Sequence, residues 1–162
     1  MRLWHEYLIP YLDNKRLIGQ HRECCALRGK GWGRKHSVVN YVFEHHVAKL
    51  IQYHAIVMNE CIWRGFNIDN KWMQLTYRGK NMPEFSSDVI NNSNYWDNMN
   101  INALCEYNSL DTNEYISKCF IYPEHNPKYL LECLDNLQSK NAELINNISV
   151  AELKLKLEIA GV

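Results

Sequence analysis

Glu23 is the one acidic residue in the most basic stretch of the chain. From Lys15 to Lys35, KRLIGQHRECCALRGKGWGRK, Lys or Arg stands at 15, 16, 22, 28, 30, 34 and 35. The surrounding cations suit phosphates, while a Glu on the polar face of a helix is ordinarily solvated unless something binds beside it. Arg28–Lys35, RGKGWGRK, adds a Gly-punctuated basic loop with Trp32 in its middle, a composition that follows a phosphate backbone and offers a ring to a base. It lacks the GxxxxGK[ST] order that would cradle a nucleoside triphosphate. His21, Cys24 and Cys25 lie close together, as do His45 and His46 ahead of His54. No C-x-x-C pair accompanies them, adjacent cysteines are not zinc spacing, and His54 falls on an apolar stripe, so no metal is expected.

Helices must position these groups. Leu17, Ile18, His21, Cys24, Cys25 and Arg28 recur at helical spacing, with Asp13 or Asn14 as N-cap and Gly29 as stop, which predicts a helix over 14–28. A turn of about 100° per residue sets Glu23 opposite the Leu17/Ile18/His21/Cys25 stripe, beside Gly19 and Ala26. Gly19 costs about 1 kcal/mol mid-helix relative to Ala, so something is expected to pack or bind close to it. A second helix over 45–64 follows from Val47, Leu50, Ile51, His54, Val57, Met58, Cys61 and Ile62, with Gly65 ending it. Residues 67–125 are polar, Asn-rich and aperiodic, which predicts irregular structure with short helices; NNSNYWDNMNIN reads as a surface loop and Tyr77–Lys80 as a second basic turn. Asn126-Pro127 opens a third helix, broken near Ser139. The tail carries two signals, a capping box of Ser149 and Glu152 and a strand-like alternation of Leu153, Leu155, Leu157 and Ile159, and is read as helix.

The 162 residues, 46% hydrophobic and 22% charged, suit one compact all-α domain with long irregular loops. Eighteen Lys+Arg balance eighteen Asp+Glu, so nucleic-acid binding has to come from the local patch. No run of about eighteen apolar residues exists, and MRLWHEYLIPYL lacks an unbroken apolar region with a cleavage site. Neither a membrane span nor a secreted precursor is expected, and the six cysteines are read as reduced, cytoplasmic and mostly buried.

Four segments carry a resemblance: Met1-Arg2-Leu3, Leu17–Glu23 ending His21-Arg22-Glu23, HSVVNYVFEHHVAKL over 36–50, and Glu60–Ile68, whose ECxxRGFNI pattern is the most specific and marks packing. In this order, across about the first 70 residues, the chain resembles the pyrimidine-dimer DNA glycosylase family, the phage endonuclease V type of bifunctional glycosylase and abasic-site lyase. The remainder looks closer to a bacterial branch of that family. The resemblance implies an endonuclease V-like helical fold, a monomer, double-stranded DNA with a damaged or modified base as partner, base extrusion, no cofactor, and a cytoplasmic, nucleoid-associated setting.

It further implies an unusual nucleophile, the α-amine of the first residue, attacking C1′ of the target nucleotide. An α-amine titrates near 7.7 to 8.0 and Lys near 10.4, so at neutral pH roughly a tenth or more of the amine is free base, against well under a hundredth of a lysine. Arg2 is too large a second residue for ordinary methionine removal, so Met1 itself would supply the amine. The resemblance gives Glu23 the charge-stabilising and proton-moving role, and Arg2, Arg16 and Arg22 the phosphates. Ala26 stands where the family has a further basic residue, for which Arg28 is the expected substitute. With His21, Lys30, Trp32, Arg34 and Lys35 these complete the expected DNA-binding set. The family's aromatic C-terminal segment has no counterpart, which leaves another bulky modified base, as in phage-modified DNA, or RNA as alternative targets. A nucleic-acid-binding module without catalysis accounts for the patch and Trp32 as well.

Overall fold

The computed structural model describes residues 1–35, 39–91 and 121–159. Among these the fold is all-α, with one isolated antiparallel bridge between Leu12 and Leu144. His36, Ser37 and Val38, and the surface loop expected over NNSNYWDNMNIN apart from Asn91, lie outside the described residues.

The first helix, α1, spans Asn14–Arg28, as its caps foretold. Asp13 accepts the Arg16 amide at 2.9 Å and also pairs with the Arg16 guanidinium, satisfying a helix-end donor. Gly29 closes the other end, its amide donating to the Cys25 carbonyl at 3.0 Å. Just beyond it, Gly31 donates to the Ala26 carbonyl at 2.8 Å, so close that a Cβ there would lie 2.7 Å from that oxygen. Only glycine lets the basic loop fold back on α1 so tightly.

Helix α2, Val47–Trp63, starts at His46, whose Nδ1 accepts the Ala48 amide at 3.2 Å. It ends in a Schellman motif: Gly65 sits at φ +84°, its amide donates to Ile62, and the Phe66 amide donates to Cys61. The two helices run antiparallel, since Arg64 beyond the end of α2 bonds Asn14 at the start of α1, while Tyr53 and His54 meet Gln20 and His21. Glu60 holds Arg64 at 2.7 Å, and Arg64 donates to the Leu12 and Pro10 carbonyls at 2.6 and 3.0 Å. The Glu60–Ile68 segment thus acts in packing, tying α2 to the N-terminal chain.

A short helix α3, Ser87–Ile90, and a 3-10 turn, Asn70–Met73, punctuate otherwise irregular chain. Helix α4, Pro127–Ser139, has Asn126 as N-cap and proline in its first turn. The ambiguous tail is helix: α5, Val150–Ile159, opens with Ser149 and Glu152 bonding reciprocally at 2.7 and 3.1 Å. Val150, Leu153 and Leu157 are buried at helical spacing and Leu155 faces solvent, which the strand alternation could not have achieved.

One continuous cluster of buried residues joins Leu3, Leu8 and Leu12 to Leu17 and Leu27 of α1, Leu50 and Val57 of α2, Leu134 and Leu137 of α4 and Leu157 of α5. Within it Glu6 accepts the Ile121 amide at 2.8 Å, and His125 bonds the Tyr41 hydroxyl at 2.8 Å, which pairs these buried groups. Among the described residues no helix is long and apolar enough to cross a membrane.

Candidate active site

The first four residues lie extended along α1 in a register fixed by hydrogen bonds. Gln20 accepts the Trp4 amide at 2.7 Å through Oε1. The Tyr53 hydroxyl donates to the Trp4 carbonyl at 2.6 Å, and the Tyr129 hydroxyl donates to that of Leu3, also at 2.6 Å. Leu3 is buried. This anchoring carries the Met1 α-amine to 4.0 Å from Glu23 Oε1, while the Arg2 amide donates to Glu23 Oε2 at 3.4 Å and the Gln20 side-chain amide at 3.1 Å. Gln20, Tyr53 and Tyr129 were not expected in this role. Gln20 is readable in retrospect, one helical turn before Glu23; nothing local marks the tyrosines.

Glu23 is not opposite the buried face of α1. The residues that go inside are Leu17, Gln20, Cys24, Leu27 and Arg28, and Glu23 stands at their edge, its side chain 33% exposed. Burial pushes its carboxyl above the ordinary value, outweighing the Arg2 amide, the α-ammonium and Gln20, which favour the charged form. A carboxylate of raised basicity beside an amine can hold a cation and exchange a proton with it.

Two pockets flank this pair. One, of about 340 Å³, is lined by Glu23, Gly19, Lys15, Arg16 and Lys140 among others. The other, of about 510 Å³, is lined by Met1 and Ala26 together with Lys30, Arg34 and the Arg78–Met82 turn. A Cβ on Gly19 would meet no protein atom within 4 Å, so nothing in the protein packs there; the glycine borders the open pocket beside Glu23.

The expected DNA-contacting residues divide. Arg22, Lys30, Arg34 and Lys35 are exposed and form no ion pair among the described residues. Arg16 is half-buried and paired with Asp13. Arg2 is half-buried too, its guanidinium over the Trp4 and Tyr129 rings at 5.9 Å each. Three expectations need correction. Arg28 is fully buried and donates to the carbonyls of Trp72, Gln74 and Tyr77 at 2.8–2.9 Å and of Leu75 at 3.4 Å, so it is spent on holding the 72–77 segment and does not face DNA. His21 turns inward, its Nδ1 2.9 Å from His54 Nε2. Trp32 is partly buried in T-shaped contacts with Phe43 and Phe85, with centroids at 5.5 and 6.1 Å, and so anchors the basic loop instead of standing free in its middle.

His54 is a core residue, and His45 pairs with Glu124 at 2.9 Å. The cysteine beside His21 and His54 is Cys25, with all three potential ligand atoms within 4.8 Å; Cys24 is buried in the core. These donors do not fit a metal. Arg28 only donates, so the His54 Nδ1 it meets at 3.2 Å must accept and Nε2 carries the proton towards His21. Ligation through Nε2 would turn an Nδ1 proton against a guanidinium that four carbonyls hold in place. Burial also pushes the Cys25 thiol up to about 12, so without a metal it stays protonated at neutral pH.

A family model described as pyrimidine dimer DNA glycosylase matches residues 1–74, a segment that contains Met1, Glu23, α1 and α2. No curated protein and no solved structure matches the chain.

Proposed function

We propose that the chain, whose residues 1–74 match the pyrimidine dimer DNA glycosylase family, belongs to that family and is a bifunctional glycosylase and abasic-site lyase acting on DNA with a damaged base. The observation that carries the reading is the Met1 α-amine 4.0 Å from Glu23 Oε1, in a register fixed two residues further on by Leu3 and Trp4.

In its free-base form the amine nitrogen of Met1 adds to C1′ as the glycosidic C1′–N bond breaks. The base leaves with that electron pair and takes up a proton. Loss of a proton from the bound nitrogen and departure of the ring oxygen, itself protonated, then give an imine between Met1 and the opened sugar. Glu23 stabilises the protonated imine and accepts the C2′ proton, and the electrons of that C–H bond expel the 3′ phosphate in β-elimination. Gln20 and the Arg2 amide position the carboxylate. Arg22, Lys30, Arg34 and Lys35 supply the sequence-independent hold on the duplex. The family name points to a pyrimidine dimer as the base removed.

Borohydride trapping tests this reading. Untagged protein is incubated with a duplex carrying an abasic site, reduced, and examined for a covalent adduct, with chelator present in a parallel sample. The adduct is expected with or without chelator, and is expected to be lost when the N-terminus is blocked and in Glu23→Gln. DNA binding without any adduct would sink the lyase chemistry and leave a binding module.

A further inference from the structure

The pocket of about 340 Å³ on the Gly19 side of Glu23 gathers cations from two helices. Lys15 and Arg16 stand in the first turn of α1, and Lys140 is the C-cap of α4. The chain just beyond Lys140 is tied to the start of α1 by the bridge between Leu144 and Leu12, which holds the end of α4 at this pocket. Arg16 is paired with Asp13, whereas Lys15 and Lys140 are exposed and form no ion pair among the described residues. Gly19 keeps the space beside them open, and Glu23 is the one acidic residue among those lining it. Glu23 does not line the larger pocket beside Met1.

The proposed elimination moves negative charge across this space. Glu23 takes the C2′ proton and becomes neutral. The electron pair of that C–H bond becomes the C2′=C3′ bond, and the C3′–O3′ pair departs with the phosphate, which changes from a diester with one negative charge to a monoester approaching two. O3′ sits on the carbon next to C2′, so a nucleotide that presents C2′ to Glu23 also brings its 3′ phosphate to the carboxylate. Fixed cations aimed at the group where charge develops stabilise the transition state more than the ground state. The first turn of α1 adds the positive end of the helix dipole. We propose that Lys15 and Lys140 bind the phosphate 3′ to the attacked nucleotide in this pocket and stabilise it as it leaves. The inference rests on the Met1 and Glu23 chemistry and adds a leaving-group site to it. Lys140 lies outside the family-matched residues 1–74, so α4 contributes a group to the reaction as well as packing.

The test follows single-turnover strand cleavage and borohydride trapping on abasic duplexes with wild type, Lys15→Ala, Lys140→Ala and Lys140→Arg. Imine formation precedes departure of the phosphate, so trapping is the reference. The ratio of cleavage rate to trapping rate is expected to fall about ten-fold in each alanine variant and by less in Lys140→Arg. Two further duplexes carry an uncharged methylphosphonate in place of the phosphate 3′ or 5′ to the abasic site. The deficit of the alanine variants is expected to vanish with the 3′ replacement and to persist with the 5′ one. A wild-type ratio in either alanine variant, a deficit that survives the 3′ replacement, or one that vanishes with the 5′ replacement overturns the inference, while trapping by the wild type keeps the amine reading. Wild type that traps but does not cleave overturns it too. Absence of wild-type trapping overturns the amine reading and the inference with it.

Discussion

At the scale of single residues, Glu23 is held at a cost. Its carboxyl is raised by burial, so between the ordinary carboxylate pKa and its own higher value the folded state binds more protons than the unfolded one. Stability therefore falls as pH rises through that window, and above it the ionised, half-buried side chain leaves the fold weaker than a neutral one would. Glu23→Gln is expected to be more stable than wild type at pH 7, with the advantage shrinking as pH is lowered through the carboxylate range, and to lose base release and trapping. Denaturant midpoints measured across that range check the first part; a variant less stable at pH 7 would show that the α-ammonium and Arg2 amide outweigh desolvation. The family resemblance, and not local spacing, pointed to the role of Glu23, and its contact with Met1, more than twenty residues away, was not a local property.

At the scale of elements, α1 does two jobs with opposite sides of its C-terminal half. Ala26 faces a pocket, while Arg28 enters the core and organises the 72–77 segment by donating to its carbonyls. Burial pulls the Arg28 guanidinium down only to about 10, so it keeps its charge at neutral pH and its bonds are charge-assisted. Arg28→Met leaves those carbonyls unpaired and is expected to cost about 3 kcal/mol or more, read from urea denaturation. A variant with near-wild-type stability and weakened DNA binding would return Arg28 to the interface. The helix itself was legible because its caps and apolar spacing are written within fifteen residues. The inward turn of Arg28 was not, because the carbonyls that receive it belong to irregular chain some fifty residues on.

At the scale of the whole molecule, eighteen positive and eighteen negative side chains cancel, so any attraction to DNA is local. Among the described residues, exposed cations near the candidate site that form no ion pair include Lys15, Arg22, Lys30, Arg34, Lys35 and Lys80. Each Lys or Arg contact to phosphate is worth close to one unit in the slope of log affinity against log salt, so Lys30→Ala or Arg34→Ala is expected to reduce that slope by about 1 without loss of stability. Titrations with a fluorescent duplex at several salt concentrations check this. Unchanged slopes in both variants would move the duplex to another face.

The sequence by itself determined helices α1, α2 and α4, each specified by caps and a repeat that act over a few residues, whereas for α5 a capping box stood against a strand-like alternation. It also marked the basic patch, the carboxylate within it and the packing role of Glu60–Ile68. Tertiary structure alone decided which residues of the patch are free and which are consumed, because the partners of Arg28, His21 and Trp32 are supplied by chain distant in sequence. It likewise decided that the terminal amine meets Glu23. That meeting depends on Tyr53 from α2 and Tyr129 from α4 gripping Trp4 and Leu3, and hydrogen bonds across such separations exist only once the core has brought the helices together.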